Sequence, residues 1–246
     1  MLAFVVPLRS PGSCHDWRRV SALCERTLRS LCAQTDDAFS VTLACAVKPE
    51  INFAHPKLEI VTGEFPVPRS RAEQMEDKYA KLRLGMREAQ RGSPTHVMLA
   101  DADDLVSNRL AALVRDFPHG NGWAFQRGYI HDEGRGSVFI KDDFDRFCGT
   151  STIVRVQPGD LPSNETDGAR LLEHGHPVIA AHLAEIRRPL DPLPFIGSIY
   201  VAGSGENYSG FSLGSWQGLR VRARKLLWTR PLTAAIRREF GLYPID

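Results

Sequence analysis

The stretch His96-Val-Met-Leu-Ala-Asp-Ala-Asp-Asp104 decides the fold prediction for this chain of 246 residues. It opens with an apolar run that is typical of a buried strand and closes with three carboxylates in four residues. In open α/β sheets, ligands bind at the carboxyl ends of the strands, so this position predicts a binding site. Because neighbouring carboxylates repel each other, a cation or hydrogen bonds must offset their charge there.

Strand and helix patterns alternate on the N-terminal side of this stretch. Residues 2–7, 41–47 and 58–62 are predicted strands, and the first is a continuous apolar run. Helices are predicted over residues 16–32 and from the capping sequence that starts at Ser70. A series of this kind predicts an α/β fold with a mostly parallel, mixed sheet that is flanked by helices on both faces.

The second half of the chain has a less regular pattern. Residues 123–131 and 137–140 indicate a hairpin, because a glycine-containing polar segment joins two runs rich in strand-forming residues. The other predicted elements are helices at 109–116 and 167–174 and strands at 178–183 and 198–202. A mixed second half, fused to the first in one domain, is the expected architecture.

Composition excludes several classes of protein. With 43% hydrophobic and 24% charged residues, the chain is neither collagenous, nor largely disordered, nor a multi-pass membrane protein. No apolar run approaches the roughly 20 residues of a spanning helix. The five cysteines contain no C-x-x-C pair, which argues against structural zinc and favours a reducing compartment. We therefore expect the protein to be cytoplasmic.

The D-x-D pattern of Asp101 and Asp103 fits a divalent cation. Alternate carboxylates that leave a strand can reach one hard ion, and such an ion can bridge diphosphate oxygens and neutralise a leaving group. The alternative is a solvated loop or a helix N-terminus, where Asp is favoured without any ligand. A second D-x-D, Asp143 and Asp145, lies in a polar segment, so its context favours the metal interpretation less.

Several segments resemble a known family. Phe4-Val-Val-Pro-Leu-Arg9, Thr27-Leu-Arg-Ser-Leu-Cys-Ala-Gln-Thr35 and Met98-Leu-Ala-Asp-Ala-Asp-Asp-Leu-Val-Ser107 are similar to bacterial glycosyltransferases of the GT-A fold, family 2-like. Phe147-Cys-Gly-Thr150 and Gly205-Glu-Asn-Tyr-Ser209 extend the resemblance to nearly the whole chain. The resemblance implies a nucleotide-diphosphate-sugar donor, a Mn²⁺ or Mg²⁺ cofactor and transfer to an acceptor hydroxyl in envelope polysaccharide or glycoconjugate synthesis.

The resemblance also implies roles for individual residues. On the donor side, the matching residues are Pro7, Arg9, Asp77, Lys81 and Asp101. Asp101 and Asp103 match the metal ligands, with Asp103 as the main one. Each position has a plainer alternative, because prolines and charges often mark strand ends and most helical charges are simply solvated.

The acceptor side is implied by two further segments. Glu165 or Asp167 matches the general base, and direct attack by the deprotonated acceptor would invert the anomeric centre. Cys148, Gly149 and Thr150 match the acceptor pocket. The alternatives are helix capping by Asp167 and an ordinary turn around Cys148.

One position departs from the family pattern. Relatives often carry a metal-binding His where this chain has Ser204. Glu206, His182 or water could complete the coordination shell, since hard ions accept oxygen ligands and retain waters. Alternatively, metal binding is weak in this chain. His174 and His176 are further candidates, although isolated histidines are more often structural.

The C-terminal segment is basic although the net charge is only +2. We expect a GT-A-like catalytic domain over residues 1–215, with a nucleotide-sugar half (1–104) and an acceptor half (105–215), followed by a basic tail (216–246). An amphipathic helix in residues 218–240 predicts contact with an anionic membrane surface. The alternative is a helix packed on the domain with a solvated basic face. No nucleic-acid module is recognised.

Two other functions fit a D-x-D pattern. A phosphatase-like hydrolase would use one Asp as nucleophile and the other as acid. That fold places the two carboxylates at the end of an early strand, but in this chain the end of the first strand carries Pro7 and Arg9 instead. The third interpretation is a non-catalytic module that binds a nucleotide sugar, because Ser204 replaces the metal-binding His of many relatives.

Overall fold

The computed structural model describes residues 1–162, 164, 169–206 and 227–245. The helices are α1 (Trp17–Cys32), α2 (Arg71–Gln90), α3 (Leu110–Asp116), α4 (His176–Glu185) and α5 (Ala234–Phe240). The strands are β1 (Leu2–Pro7), β2 (Phe39–Cys45), β3 (Leu58–Thr62), β4 (His96–Leu99), β5 (Leu105–Val106), β6 (Gly122–Ala124), β7 (Arg127–Asp132), β8 (Ser137–Asp142), β9 (Thr152–Arg155), β10 (Asp191–Pro192), β11 (Ser198–Ala202) and β12 (Thr229–Pro231).

The larger sheet has seven strands in the order β10-β6-β9-β4-β1-β2-β3. Strand β1 is an interior strand, parallel to both of its neighbours, β2 and β4, and all six of its residues are buried. Strand β9 is antiparallel to both of its neighbours, β4 and β6. The predicted α/β class with a mixed sheet flanked by helices is thus confirmed.

Helices α1 and α2 cover opposite faces of this sheet. Phe4 and Val6 of β1 belong to the same apolar cluster as residues of α1, whereas Val5 belongs to a cluster with residues of α2. This alternation follows from the two-residue period of a strand. Gly85 lets α2 approach closely, since a Cβ at this position would lie 2.6 Å from a methyl group of Val5.

The N-termini of both long helices are capped by side chains, and the cap at Ser70 confirms the capping sequence predicted there. The side chain of Asp16 accepts hydrogen bonds from the backbone N–H groups of Arg18 and Arg19 at the start of α1. At the start of α2, Ser70 accepts one from the N–H of Glu73. Each cap satisfies donors that the first helical turn leaves unpaired.

A second sheet, which the sequence did not predict, has the order β12-β8-β7-β11-β5. Its β7–β8 pair confirms the predicted hairpin. The prediction of one strand over residues 123–131 is wrong, because this segment forms two strands, β6 and β7. Around Phe125 the chain crosses between sheets, so β6 pairs with β9 and β7 pairs with β8. Strand β9 was not predicted.

The strand predicted over residues 178–183 is also wrong, because this segment belongs to α4. Gly175 is the N-cap, and Pro177 follows in the first turn, where the fixed backbone angle of proline suits a helix. Ile179 and Leu183, four residues apart, face the core, while Val178 is exposed. Of the helix predicted over 167–174, the described part forms one 3-10 turn, Arg170–Leu172.

The described part of the C-terminal segment packs on the domain. Strand β12 pairs with β8, and Phe240 and Leu242 are buried in a cluster with residues of the second sheet. For these residues the packing agrees with the alternative to membrane contact, a C-terminal helix that packs on the domain. The predicted boundary at residue 216 and residues 218–226 lie outside the described residues, so the membrane contact stays a prediction. No helix in the described ranges is long and apolar enough to cross a bilayer.

A buried histidine in β4 predicts a pH dependence of stability. His96 is fully buried, and burial lowers its pKa to about 4. Between pH 6.5 and pH 4 the unfolded chain gains a proton that the folded chain does not take up, so acid favours unfolding. We expect the free energy of unfolding to fall by about 2 kcal/mol from this residue between pH 7 and pH 4.5.

Urea unfolding of the wild type and of His96→Gln at both pH values measures this contribution. Because Gln has no charge to gain, the variant should lose less stability on acidification than the wild type does. The same pH dependence in both proteins would contradict the assignment.

Candidate active site

A cavity of about 350 Å³ opens at the carboxyl ends of β1 and β4. Its walls come from the end of β1, from α2 and from the loop after β4, with apolar side chains such as Val20 and Leu82 between the polar ones. The predicted site residues that line it are Pro7, Arg9, Asp77, Lys81, Asp101, Asp103 and Gly149. The fold therefore brings together the residues predicted for the donor and for the metal.

The residues predicted for the acceptor side are not all placed in this cavity. Glu165 and Asp167 lie outside the described residues. Cys148 and Thr150 are buried beside the cavity, and both donate hydrogen bonds to Asp104, from Sγ over 3.1 Å and from Oγ1 over 2.7 Å. These two residues thus anchor the loop after β4, and their contact with an acceptor stays a prediction.

The three carboxylates of the motif have different surroundings. Asp104 is buried, and its hydrogen bonds to Cys148 and Thr150 direct it away from the cavity. Asp101 and Asp103 line the cavity. Burial and the neighbouring charge of Asp101 raise the pKa of Asp103 to about 6. The two carboxylates that face the cavity form an electrostatically unfavourable pair that a cation would stabilise.

Lys78 pairs with one of these carboxylates. Its Nζ lies 2.5 Å from Oδ1 of Asp101, and both side chains are about one-third exposed, at 33% and 30%. Lys78 is not among the site residues predicted from the sequence. The signal that could have found it is the spacing of polar residues on α2, since Gln74, Lys78 and Lys81 recur at helical intervals and all line the cavity.

A second acid–base pair of α2 is almost completely buried. The Nζ of Lys81 lies 2.6 Å from Oδ2 of Asp77 and 2.9 Å from Oγ of Ser10. Burial lowers the pKa of Lys81, although the paired Asp77 acts in the opposite direction. The Oδ1 atom of Asp77 is buried with no hydrogen-bond partner in the described structure. This pair fixes the wall of the cavity behind Lys78.

Arg9 and Glu206 close the cavity at the end of β1. One Arg9 nitrogen donates to the backbone oxygen of Glu206 over 2.7 Å and to its carboxylate over 2.9 Å. The same carboxylate accepts hydrogen bonds from the backbone N–H groups of His15 and Asp16. Glu206 is therefore occupied by contacts of its own, which disfavours the expectation that it completes a metal shell.

The histidines do not form a metal cluster in the described part of the chain. The rings of His174 and His182 contact each other with their centres 3.8 Å apart and their planes tilted by 37°. His176 lines the cavity, where burial lowers its pKa. Among the described residues, no three His, Cys, Asp or Glu side chains are grouped to hold an ion. Asp101 and Asp103 line the cavity with carboxylate oxygens, which a hard cation prefers, and they stay the predicted ligands of an ion that keeps waters and binds phosphate oxygens.

A substitution at Gly149 tests the position of the Asp101 carboxylate. A Cβ at Gly149 would lie 2.7 Å from Oδ2 of Asp101, so Gly149→Ala must displace that carboxylate. Because this carboxylate ends a flexible side chain, we expect unfolding free energy within about 1 kcal/mol of the wild type. Affinity for Mn²⁺, measured by electron paramagnetic resonance, should fall by roughly tenfold.

Gly136→Ala is the matched control, because an added Cβ there meets no atom within 4 Å. Unchanged Mn²⁺ affinity in Gly149→Ala would show that the Asp101 carboxylate is not a ligand in this position.

No protein-family model matches the chain, and no curated protein matches its sequence. Among solved structures, the chain is similar to a crystal structure of residues 1–349 of TarS from S. aureus, with 13% identity and a TM-score of 0.46. The match covers 81% of this chain and 60% of that chain. A longer TarS structure matches with 14% identity and a TM-score of 0.45, and the chain spans 36% of its length.

Two smaller proteins are matched over most of their length. The 2-C-methyl-D-erythritol 4-phosphate cytidylyltransferase (IspD) of Francisella tularensis has 11% identity and a TM-score of 0.40, over 84% of this chain and 92% of that one. Rv0371c from Mycobacterium tuberculosis, in a complex with manganese, has 14% identity and a TM-score of 0.38, over 85% and 94%.

Proposed function

We propose that this protein is a metal-dependent glycosyltransferase that moves a sugar from a nucleotide-diphosphate donor to an acceptor hydroxyl. The observation that carries the proposal is the pair Asp101 and Asp103 in a cavity of about 350 Å³ at the carboxyl ends of two parallel strands. Ligands of such sheets bind at this edge. A pocket of this size, mostly apolar with a few convergent charges, suits a small organic ligand that carries phosphate.

Different residues of the cavity would bind different parts of the donor. Asp101 and Asp103 would hold a Mn²⁺ or Mg²⁺ ion, which when bound supplies charge neutralisation at the diphosphate. Apolar side chains such as Leu82 cover the wall and exclude water, which strengthens the electrostatic contacts inside. Lys78 and Arg9 bring positive charge to the same space.

The proposed chemistry is a single displacement at the anomeric carbon. The acceptor oxygen forms a bond to that carbon while the bond to the diphosphate oxygen breaks, and the electron pair leaves with the diphosphate. A general base takes the proton of the acceptor hydroxyl, and Glu165 or Asp167 stays the prediction for this role. Attack from the face opposite the leaving group inverts the configuration.

Thermal unfolding in the presence of nucleotides tests the proposed function. UDP, GDP, CDP and dTDP, each with and without Mn²⁺, are compared at saturating concentration. A ligand that binds only the folded state raises the free energy of unfolding, by about 2.7 kcal/mol at 100 times its Kd, and therefore raises the melting temperature. At least one nucleotide should stabilise the protein more with Mn²⁺ than without.

If no nucleotide stabilises the protein, the transferase assignment is wrong. Release of phosphate from small phosphoesters would instead support the hydrolase. Binding of a nucleotide sugar, with neither transfer nor hydrolysis, would support the non-catalytic module.

A further inference from the structure

The three cations of the cavity differ in how firmly they are held. Lys81 is fully buried, and Arg9 has bonds to both the backbone and the carboxylate of Glu206. The pair formed by Lys78 and Asp101 is instead about one-third exposed to the cavity on each side, at 33% and 30%. Of these three cations, Lys78 can leave its partner at the lowest cost, because no desolvated charge is left behind in the core.

Lys78 also occupies one oxygen of the Asp101 carboxylate, which is a predicted ligand of the divalent cation. Its Nζ lies 2.5 Å from Oδ1 of Asp101. An ammonium group and a metal ion cannot both lie against one carboxylate oxygen without strong repulsion. A lysine side chain is flexible, with a compact charge at the end of a four-carbon stem, so it can move within the cavity instead of leaving it.

We propose that Lys78 is an exchangeable counterion of the site. It neutralises Asp101 in the free protein and moves to the diphosphate of the donor when a divalent cation takes its place. This inference rests on the proposed function and deepens it, because it couples the binding of the metal to that of the donor. By linkage, each ligand then raises the affinity for the other by the same factor.

Lys78 acts in this exchange as a point charge on a flexible stem, first against the carboxylate of Asp101 and then against the diphosphate, and it transfers no proton.

The test compares Lys78→Met with Lys57→Met, which removes the same charge from an exposed position on the loop before β3. Binding of Mn²⁺ alone is measured by electron paramagnetic resonance. Lys78→Met should bind Mn²⁺ about tenfold more tightly than the wild type, because the competing ammonium is gone. Lys57→Met should bind it as the wild type does.

A second measurement follows the other half of the exchange. Manganese pyrophosphate, which carries no base or sugar, is titrated by calorimetry into each protein at saturating Mn²⁺. Lys78→Met should bind it at least about fivefold more weakly than the wild type, whereas Lys78→Arg should retain most of the affinity.

The proposal is overturned if Lys78→Met binds Mn²⁺ no more tightly than Lys57→Met, or if it binds manganese pyrophosphate as tightly as the wild type. Either result leaves the proposed function intact when nucleotides still stabilise the wild type with Mn²⁺. Absence of both Mn²⁺ and nucleotide binding in the wild type contradicts the proposed function and the exchange together.

Discussion

Replacement of Asp103 by Asn is expected to lower the affinity for Mn²⁺ by on the order of 100-fold and to abolish Mn²⁺-dependent stabilisation by nucleotides. Asn keeps the shape of the side chain but removes the charge that a hard cation requires. The folded protein should not lose stability, because Asp103 is one of three carboxylates that repel each other at the end of β4. A loss of Mn²⁺ binding without a loss of folding stability would show that Asp103 serves to bind the ion and not to stabilise the fold.

Asp143→Asn is the matched control for this experiment. Asp143 belongs to the second D-x-D and is exposed, and its backbone has a positive φ of 49°, a conformation that Asn adopts readily. Mn²⁺ affinity and melting temperature should therefore match those of the wild type. If Asp143→Asn and Asp103→Asn weaken Mn²⁺ binding equally, the assignment of the ion to the cavity is wrong.

Replacement of Arg26 by Met is expected to lower the free energy of unfolding by about 3–5 kcal/mol. Arg26 is fully buried in α1, and its two terminal nitrogens lie 3.0 and 2.7 Å from the carboxylate oxygens of Glu133. It also donates to the backbone oxygen of Tyr243 over 2.9 Å. The variant would leave a mostly buried carboxylate and a carbonyl without their donor, and it would remove one of the contacts between α1 and the C-terminal segment.

Arg29→Met controls for the removal of a cation from the same helix. Arg29 pairs with Glu25 one turn away, but it is 41% exposed, so its loss should cost less than about 1 kcal/mol. Unfolding in urea, followed by circular dichroism, gives both values. Equal costs for Arg26→Met and Arg29→Met would contradict the large cost expected for breaking the buried pair of Arg26 and Glu133.

The sequence predicts the first half of the fold well because its signals are local. The apolar run at residues 2–7 and the caps at Asp16 and Ser70 act within a few residues of the elements that they define. The strand prediction for the apolar segment 178–183 is wrong, because a short run of this kind suits a buried strand as well as a helix. Pro177 was the deciding signal there.

The candidate site could be predicted only in part. Asp101 and Asp103 are recognisable because their pattern and their place after a strand lie within one segment of sequence. The pairing of Lys78 with Asp101 depends on how α2 packs against the sheet, across 23 residues of sequence. Likewise, Arg9 and Glu206 are 197 positions apart in the sequence, and no local pattern indicates the hydrogen bond between them.

The most direct test of the proposed metal and donor site is a crystal structure of the protein with Mn²⁺ and the nucleotide that stabilises it most. We expect an anomalous manganese peak between the carboxylates of Asp101 and Asp103, with the diphosphate in the cavity and Lys78 turned towards it. A nucleotide bound elsewhere, or a manganese peak at Asp143 and Asp145 with none at Asp101, would contradict it.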